Sequence, residues 1–394
     1  MNLSIKGILN IVKQVICRSI VYSIPRNKHL IVYGGSRDLF IDNTKYMFIM
    51  NNNQMHDYKH VWLTSRDDVA QQINNLGFHV EKANGIKGIY YMLTAGYILF
   101  DDAITNFSKQ GLSFGAIRIQ LWHGIPAKWV AGVTHDKPDS YQCRSWFWET
   151  YVFDHLHGDY AVTTSHAMDN IYSAMFRIPE EKLFLGGYPR LSTFFMDEEQ
   201  RIEWIKKYET EELFEEYNYI KSLAGRKVVY MPTFRDKKPE YMTEAIPNWN
   251  DLNEYCRVND VHLFVKVHRA AKMLDISDFS NITILSNELD VYPLLPLFDM
   301  MISDYSSVTY DFSVLKKKIV MYTYDMEEYL TKSRPVPDYF KAIIHQLTNV
   351  KTFTEFKDVL TIDIDTLNDF PDKHCFDAPQ DYKSIQSFIR HYYN

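Results

Sequence analysis

Four short segments set polar, phosphate-compatible side chains at the end of an apolar run. His123 follows Ile117–Trp122 in the turn His123–Gly124–Ile125–Pro126, and Thr233 and Arg235 follow Lys227–Met231. Lys266 lies on His262–Val267 and His268 follows it; Asp304, Ser306 and Ser307 follow Met300–Ser303. Hydroxyl, guanidinium and imidazole groups donate several charge-assisted hydrogen bonds, and a diphosphate accepts many at once. The richest segment is Met300–Phe312, MMISDYSSVTYDF, where a buried-strand pattern breaks at a polar turn and a helix pattern starts. Free backbone N–H groups and a partial positive charge make such a start suitable for an anion. Each feature alone has a plain reading: Ser306 or Ser307 caps the helix, His123 bonds to nearby backbone, and Arg235 makes a surface ion pair. Four polar ends together, three of them in one half of the chain, favour a diphosphate donor. His123, alone in the other half, is then placed as a general base for an acceptor hydroxyl. The chemistry this supports is nucleotide-dependent group transfer by positioning and electrostatics.

Positioning these ends requires strands. Apolar runs alternate with helical patterns, the sign of parallel βα units. Strands are expected at His29–Tyr33, Val61–Thr64, Tyr97–Phe100, Ile117–Trp122 and Tyr160–Thr163, and again at Lys227–Met231, His262–Val267, Ile282–Leu285, Met300–Ser303 and Ile319–Tyr322. Helices are expected at Tyr46–Asn53, Asp67–Leu76 and Ile86–Ala95, with a terminal helix at Tyr382–Tyr393. In open α/β sheets ligands bind beyond the carboxyl ends of the strands, which is where the polar groups fall. The predicted fold class is α/β: two doubly wound, Rossmann-type domains facing a cleft. Residues 25–196 form the acceptor-side domain, 197–224 a Glu-, Lys- and Tyr-rich helical linker, and 225–394 the donor-side domain.

At 394 residues the chain is long enough for two cores. Its net charge of −7 argues against a nucleic-acid binder. The four cysteines are scattered without a CxxC pair, which excludes a zinc knuckle or disulfide framework and fits a reducing cytoplasm. His155–Leu156–His157 lacks a third ligand cluster, so no metal is expected. Gly34–Gly35 follows a strand but lacks GxGxxG, so no nicotinamide cofactor is expected, although these glycines could line the cleft. The turn Gly186–Arg190 offers Arg190 either to an anionic group or to a plain interdomain loop. The Trp146–Phe147–Trp148 cluster suits core or a membrane interface.

Residues 1–24 stand apart. Lys6, Lys13 and Arg18 accompany an apolar stripe of Ile5, Ile8, Leu9, Val12, Val15, Ile16 and Ile20, and no acidic residue precedes Asp38. No apolar stretch reaches the roughly 20 residues of a spanning helix. The pattern predicts an amphipathic helix on an anionic membrane surface, each basic residue adding ~1 kcal/mol. Packing against its own domain is the other reading.

At these residues the chain resembles the CDP-glycerol glycerophosphotransferase family, the teichoic acid primases and polymerases of bacteria. The resemblance runs from about Ile117 to Tyr329 through LWHGIPAK, TSHAMDNIY, GGYPR, VVYMPTFR, FVKVH and ISDYSSVTYDF, in that order. It implies a GT-B fold, CDP-glycerol as donor, release of CMP, and a polyprenyl-diphosphate-linked saccharide or growing polymer as acceptor at the cytoplasmic membrane face. It implies His123 as base and His268 as a stabiliser of the donor phosphates. Thr233, Arg235, Ser306 and Ser307 would hold the diphosphate together with Lys266, and Asp304 and Asp311 would shape the donor pocket. Gly124 and Arg190 fall on the acceptor or cleft side. The departures from the family pattern, Ile125, Ala127, Arg269 and Leu191–Ser192, spare those residues and bear on the polyol, glycerol or ribitol. The alternatives are a CDP-ribitol ribitolphosphotransferase, a GT-B glycosyltransferase using a nucleotide-sugar, and a catalytically idle scaffold on the same fold.

Overall fold

The computed structural model describes residues 16, 19–108, 111–128, 158–176, 178–235, 238–267, 278–332, 336–371, 375–379 and 382–393. Lys6, Lys13, Arg18 and His268 lie outside the described residues, as do His155–His157 and the Trp146–Trp148 cluster.

The apolar runs form parallel strands. In the first half these are β1 (Asn27–Gly34), β2 (Lys59–Thr64), β3 (Val80–Lys82), β4 (Ala95–Phe100), β5 (Ile117–Gln120), β6 (Tyr160–Thr163) and β7 (Leu183–Leu185). In the second half they are β8 (Arg226–Met231), β9 (Val261–Val265), β10 (Ile282–Ile284), β11 (Met300–Ser303), β12 (Lys318–Tyr322) and β13 (Thr348–Val350). Three of these, β3, β7 and β13, escape the sequence reading. Each is a three-residue strand at a sheet edge, too short to show an apolar run. The strand expected at Ile117–Trp122 stops at Gln120, because Trp122 has φ 57° and a left-handed residue cannot continue a strand.

The sheets have the orders β3-β2-β1-β4-β5-β6-β7 and β10-β9-β8-β11-β12-β13, so both contain the 3-2-1-4-5-6 arrangement of dinucleotide-binding domains. Crossovers reverse between β1 and β4 and between β8 and β11, and ligands bind in such crevices. Register places the functional ends level with one another. Ser303 pairs with Met231, so the chains leaving β8 and β11 emerge side by side. Gly34 pairs with Phe100 and Phe100 with Gln120, which aligns the ends of β1, β4 and β5.

The stretch expected as a linker holds two helices, Glu198–Tyr208 and Glu211–Ser222. The first is closed by a capping box between Asp197 and Gln200 and the second is capped by Thr210. The last helix, Lys383–His391, returns to the first sheet. Ile385 and Ile389 are buried among Tyr33, Tyr97 and Trp62, and the Tyr97 hydroxyl donates to the Ile389 carbonyl at 2.7 Å. One apolar cluster crosses between the domains, joining Trp122, Ile125, Tyr172 and Leu191 to Tyr305, Val308, Phe312 and Phe340.

Candidate active site

The ends of β5 and β4 build the first wall. Trp122 is held left-handed by two contacts: its N–H donates to Gln120 Oε1 (3.1 Å) and its carbonyl accepts from Asn43 Nδ2 (2.7 Å). That bend turns His123 out of the sheet, its ring tilted over the Trp122 ring at 4.0 Å between centroids. His123 Nδ1 lies 2.6 Å from the Asp101 carbonyl oxygen. A carbonyl only accepts, so Nδ1 carries the proton and the lone pair of the neutral ring sits on Nε2. Asp101 is itself fixed, because its carboxylate accepts from the N–H groups of Ser36 (2.9 Å) and Thr44 (3.0 Å). Burial, followed by the neighbouring Asp42 charge, pushes the Asp101 carboxyl well up.

The ends of β8 and β11 build the second wall around Asp304. Its fully buried carboxylate accepts from the N–H groups of Thr233 (2.8 Å) and Tyr305 (2.6 Å) and from Arg235 Nη1 (2.9 Å). Arg235 also donates to the Thr233 carbonyl (2.6 Å) and makes a bidentate pair with Asp325, at 2.7 and 2.9 Å. Burial opposes the charge on Arg235, but the two carboxylates outweigh it and hold the guanidinium protonated. Four of its five N–H groups are therefore used within the protein. Arg235 shapes the wall, and the side chains that keep hydrogen-bonding capacity at the cleft are hydroxyls. Thr233 Oγ1 is buried in the cleft lining with no hydrogen-bond partner among the described residues. Among the described residues Ser307 makes no capping bond, and Ser306 Oγ accepts only a long 3.4 Å bond from the Val308 N–H. Lys266 directs its ammonium to the carbonyls of Ser286 and Leu289 while lining the cleft.

Between the walls lies a cleft of about 420 Å³. His123 and Gly124 line it from the first domain, and Thr233, Lys266, Ser306 and Ser307 from the second. The two walls touch at Gly124, which has φ 142°. A Cβ placed there would lie 3.0 Å from Ser307 Oγ and 3.3 Å from Arg190 Nη2. The His123 turn thus sits directly on the Ser306–Ser307 turn, with the glycine permitting the close approach.

Asp311, expected to shape the donor pocket, and Arg190, expected either near an anionic group or in a plain interdomain loop, are found paired with each other behind this contact. Arg190, 3 % exposed, donates to Asp42 (2.7 Å) and to the fully buried Asp311 (2.6 Å), and its backbone N–H donates to Asn43 Oδ1 (3.2 Å). Tyr292 donates to the same Asp311 oxygen at 2.6 Å, and the guanidinium lies over the Tyr292 ring. Burial pushes the Asp311 carboxyl up against the pull of Arg190, whereas Asp311 and Asp42 keep Arg190 charged despite its burial. Neither residue lines the cleft. The sequence-predicted set therefore divides: His123, Gly124, Thr233, Lys266, Ser306 and Ser307 surround the cleft, while Arg235, Asp304, Arg190 and Asp311 hold its walls. Sequence reasoning missed Asp101 and Asp325. Both follow strands, β4 and β12, so extending the strand-end rule to every strand finds them.

The model of the CDP-Glycerol:Poly(glycerophosphate) glycerophosphotransferase family matches residues 16–375. The teichoic acid poly(glycerol phosphate) polymerase of Bacillus spizizenii is 23 % identical over 322 residues, covering 79 % of this chain and 77 % of that protein. The teichoic acid ribitol-phosphate polymerase TarK of Staphylococcus aureus is 26 % identical over 402 residues, covering 98 % and 71 %. Among solved structures, the wall teichoic acid polymerase TagF superposes with a TM-score of 0.70 at 20 % identity over 97 % of this chain and 95 % of that one, which establishes the shared GT-B-like fold. The chain belongs to the CDP-glycerol:poly(glycerophosphate) glycerophosphotransferase family.

Proposed function

We propose that the cleft carries an in-line transfer in which an acceptor hydroxyl attacks the glycerol-bearing phosphorus of CDP-glycerol. A new P–O bond forms to the acceptor, the P–O bond to CMP breaks, and the acceptor proton passes to His123 Nε2. The acceptor is the hydroxyl end of a polyprenyl-diphosphate-linked saccharide or of a growing polyol-phosphate chain. Thr233, Ser306 and Ser307 donate to the diphosphate as charge shifts to the leaving CMP, and Lys266 adds a positive charge to the cleft. His268, next in sequence after the cleft-lining Val267, is proposed as a further phosphate donor. The observation that carries the reading is the fixed His123 tautomer: Nδ1–H is committed to the Asp101 carbonyl in a turn packed on Ser307.

The test is His123→Gln, assayed for CMP release from CDP-glycerol with a lipid-linked acceptor. Loss of a general base lowers turnover by roughly 10²–10⁴-fold, with CDP-glycerol still raising the melting temperature. Near-normal turnover would refute the assignment. The ribitol donor is an outcome of the same assay run with CDP-ribitol.

Action at the cytoplasmic membrane face is part of the proposal. It is supported by the basic, apolar-striped segment at residues 1–24 and by Ile16 and Ile20, which are exposed on the described part of that segment. No helix among the described residues is long and apolar enough to cross a membrane.

A further inference from the structure

The first turn of helix Asp42–Gln54 is polar and yet closed to solvent: Asn43 is fully buried and Lys45 is 1 % exposed. Polar side chains reach that depth where partners satisfy them. Lys45 pairs with Glu209 and with the second-domain Asp290, at 2.6 and 3.0 Å, which pins the turn in place. Asn43 is engaged differently. Its Nδ2 donates to the Trp122 carbonyl (2.7 Å), and its Oδ1 accepts from the Arg190 N–H (3.2 Å). A carbonyl only accepts and a backbone N–H only donates, so the site requires a donor and an acceptor on separate atoms. Asn supplies both. Leu has neither, and Ser has one oxygen on a shorter stem.

These two partners flank the contact between the walls. Trp122 immediately precedes His123 and is left-handed at φ 57°. A bulky residue keeps that conformation only where its surroundings over-determine it. Arg190 donates through Nη2 to Asp311, on the helix that follows Ser306–Ser307. Between them sits Gly124, against both Arg190 Nη2 and Ser307 Oγ. One amide therefore indexes the turn carrying His123 to the arginine that is paired across the domain boundary. The next residue, Thr44, donates its N–H to the Asp101 carboxylate (3.0 Å), and the Asp101 carbonyl takes the His123 Nδ1–H. The imidazole is thus held on both sides, through Trp122 and through Asp101, from a single helical turn.

We propose that Asn43 is a positioning residue for the transfer. Its amide fixes the backbone before His123, so that Nδ1–H stays on the Asp101 carbonyl and Nε2 stays presented to the cleft. Asn43 does not line the cleft and acts through His123. The assignment rests on the transfer reading given above, and its test separates the two.

Asn43→Leu and the milder Asn43→Ser are compared with Met47→Ala, which removes a buried side chain from the same helix and leaves the Trp122 contact in place. CMP release from CDP-glycerol with a lipid-linked acceptor is measured for each variant, alone and combined with His123→Gln. Melting temperature monitors the fold. Asn43→Leu is expected to lower kcat about 10- to 100-fold, the range that a misplacement of ~1 Å reaches. Asn43→Ser lowers it less, and KM for CDP-glycerol stays within about threefold in both. Added to His123→Gln, either substitution lowers kcat by no more than about threefold, because residues acting as a unit are not additive. Met47→Ala lowers the melting temperature and leaves kcat near wild type. Long-range proton–nitrogen NMR spectra of histidine-labelled protein, with the His123 signal assigned by its loss in His123→Gln, give a second readout. They should show the Nδ1–H tautomer in wild type and Met47→Ala, and a mixture of tautomers in the Asn43 variants. A folded Asn43 variant with wild-type kcat, a full further loss on top of His123→Gln, or an unchanged tautomer overturns the positioning role. A wild-type chain that releases no CMP, or a His123→Gln chain with near-normal turnover, overturns the transfer reading instead, and the tautomer spectra then decide whether Asn43 holds His123.

Discussion

Removing Arg190 tests how the two walls are held in register. Its guanidinium is the one buried cation between Asp42 and the fully buried Asp311, at 2.7 and 2.6 Å. Arg190→Ala would leave Asp311 with the Tyr292 hydroxyl on one oxygen and no described partner on the other. Breaking a buried pair from one side costs about 3–5 kcal/mol, because the remaining charge is neither solvated nor matched. Asp311→Asn should cost less, since the amide is neutral and Arg190 keeps Asp42. The double variant Arg190→Met with Asp311→Leu should recover most of the loss, as apolar replacements of buried ion pairs usually do. Equilibrium urea unfolding of the single and double variants gives the coupling directly, expected at about 1–3 kcal/mol. Transfer kinetics give a second measure. Gly124 touches both Arg190 and Ser307, so loosening this contact should lower kcat more than donor affinity. An Arg190→Ala chain within about 1 kcal/mol of wild type, or a coupling below about 0.5 kcal/mol, would refute the clamp.

Two further outcomes are expected. Glu209 is buried 2.6 Å from Lys45, and burial is the main reason that its carboxyl is pushed up to about 7 from an ordinary 4.5. The folded chain therefore holds a proton that the unfolded chain releases. This contribution is full below pH ~4.5 and is lost as pH rises through about 7, amounting to roughly 3 kcal/mol. Glu209→Gln lacks this component, so its stability relative to wild type should rise by that order between pH 5 and 8; a pH-independent difference would refute it. At the other end of the chain, Lys6→Glu, Lys13→Glu and Arg18→Glu together should weaken co-sedimentation with anionic vesicles by on the order of 100-fold or more. Unchanged sedimentation would reject the membrane-surface reading.

The strands that carry the site were legible because both sheets bury their central strands on two faces, so Val32, Ile98, Val229 and Ile302 belong to continuous apolar runs. His123 and the Ser306–Ser307 turn were legible for a related reason: polar groups directly after such runs stand at the carboxyl edge. What sequence spacing could not show was which polar groups face the ligand. Arg235 looks like a phosphate ligand until Asp325, 90 residues on, is found holding two of its nitrogens. Arg190 looks like a loop cation until Asp311, 121 residues on, is found against it. These pairings depend on how two domains meet, and neither periodicity nor local spacing encodes that.

The return of helix Lys383–His391 to the first sheet has a consequence for biosynthesis. Ile385 and Ile389 complete the apolar layer over Tyr33 and Tyr97, so that layer stays open while the ribosome makes everything in between. From Phe100 to the end of that helix is about 290 residues, roughly 15–60 s of translation at ~5–20 residues per second. During that interval the nascent first domain exposes an aromatic surface that helix Lys383–His391 covers later. The two domains are therefore expected to reach their native state late and together, and premature termination shortly before residue 383 should leave a product that is prone to capture by chaperones.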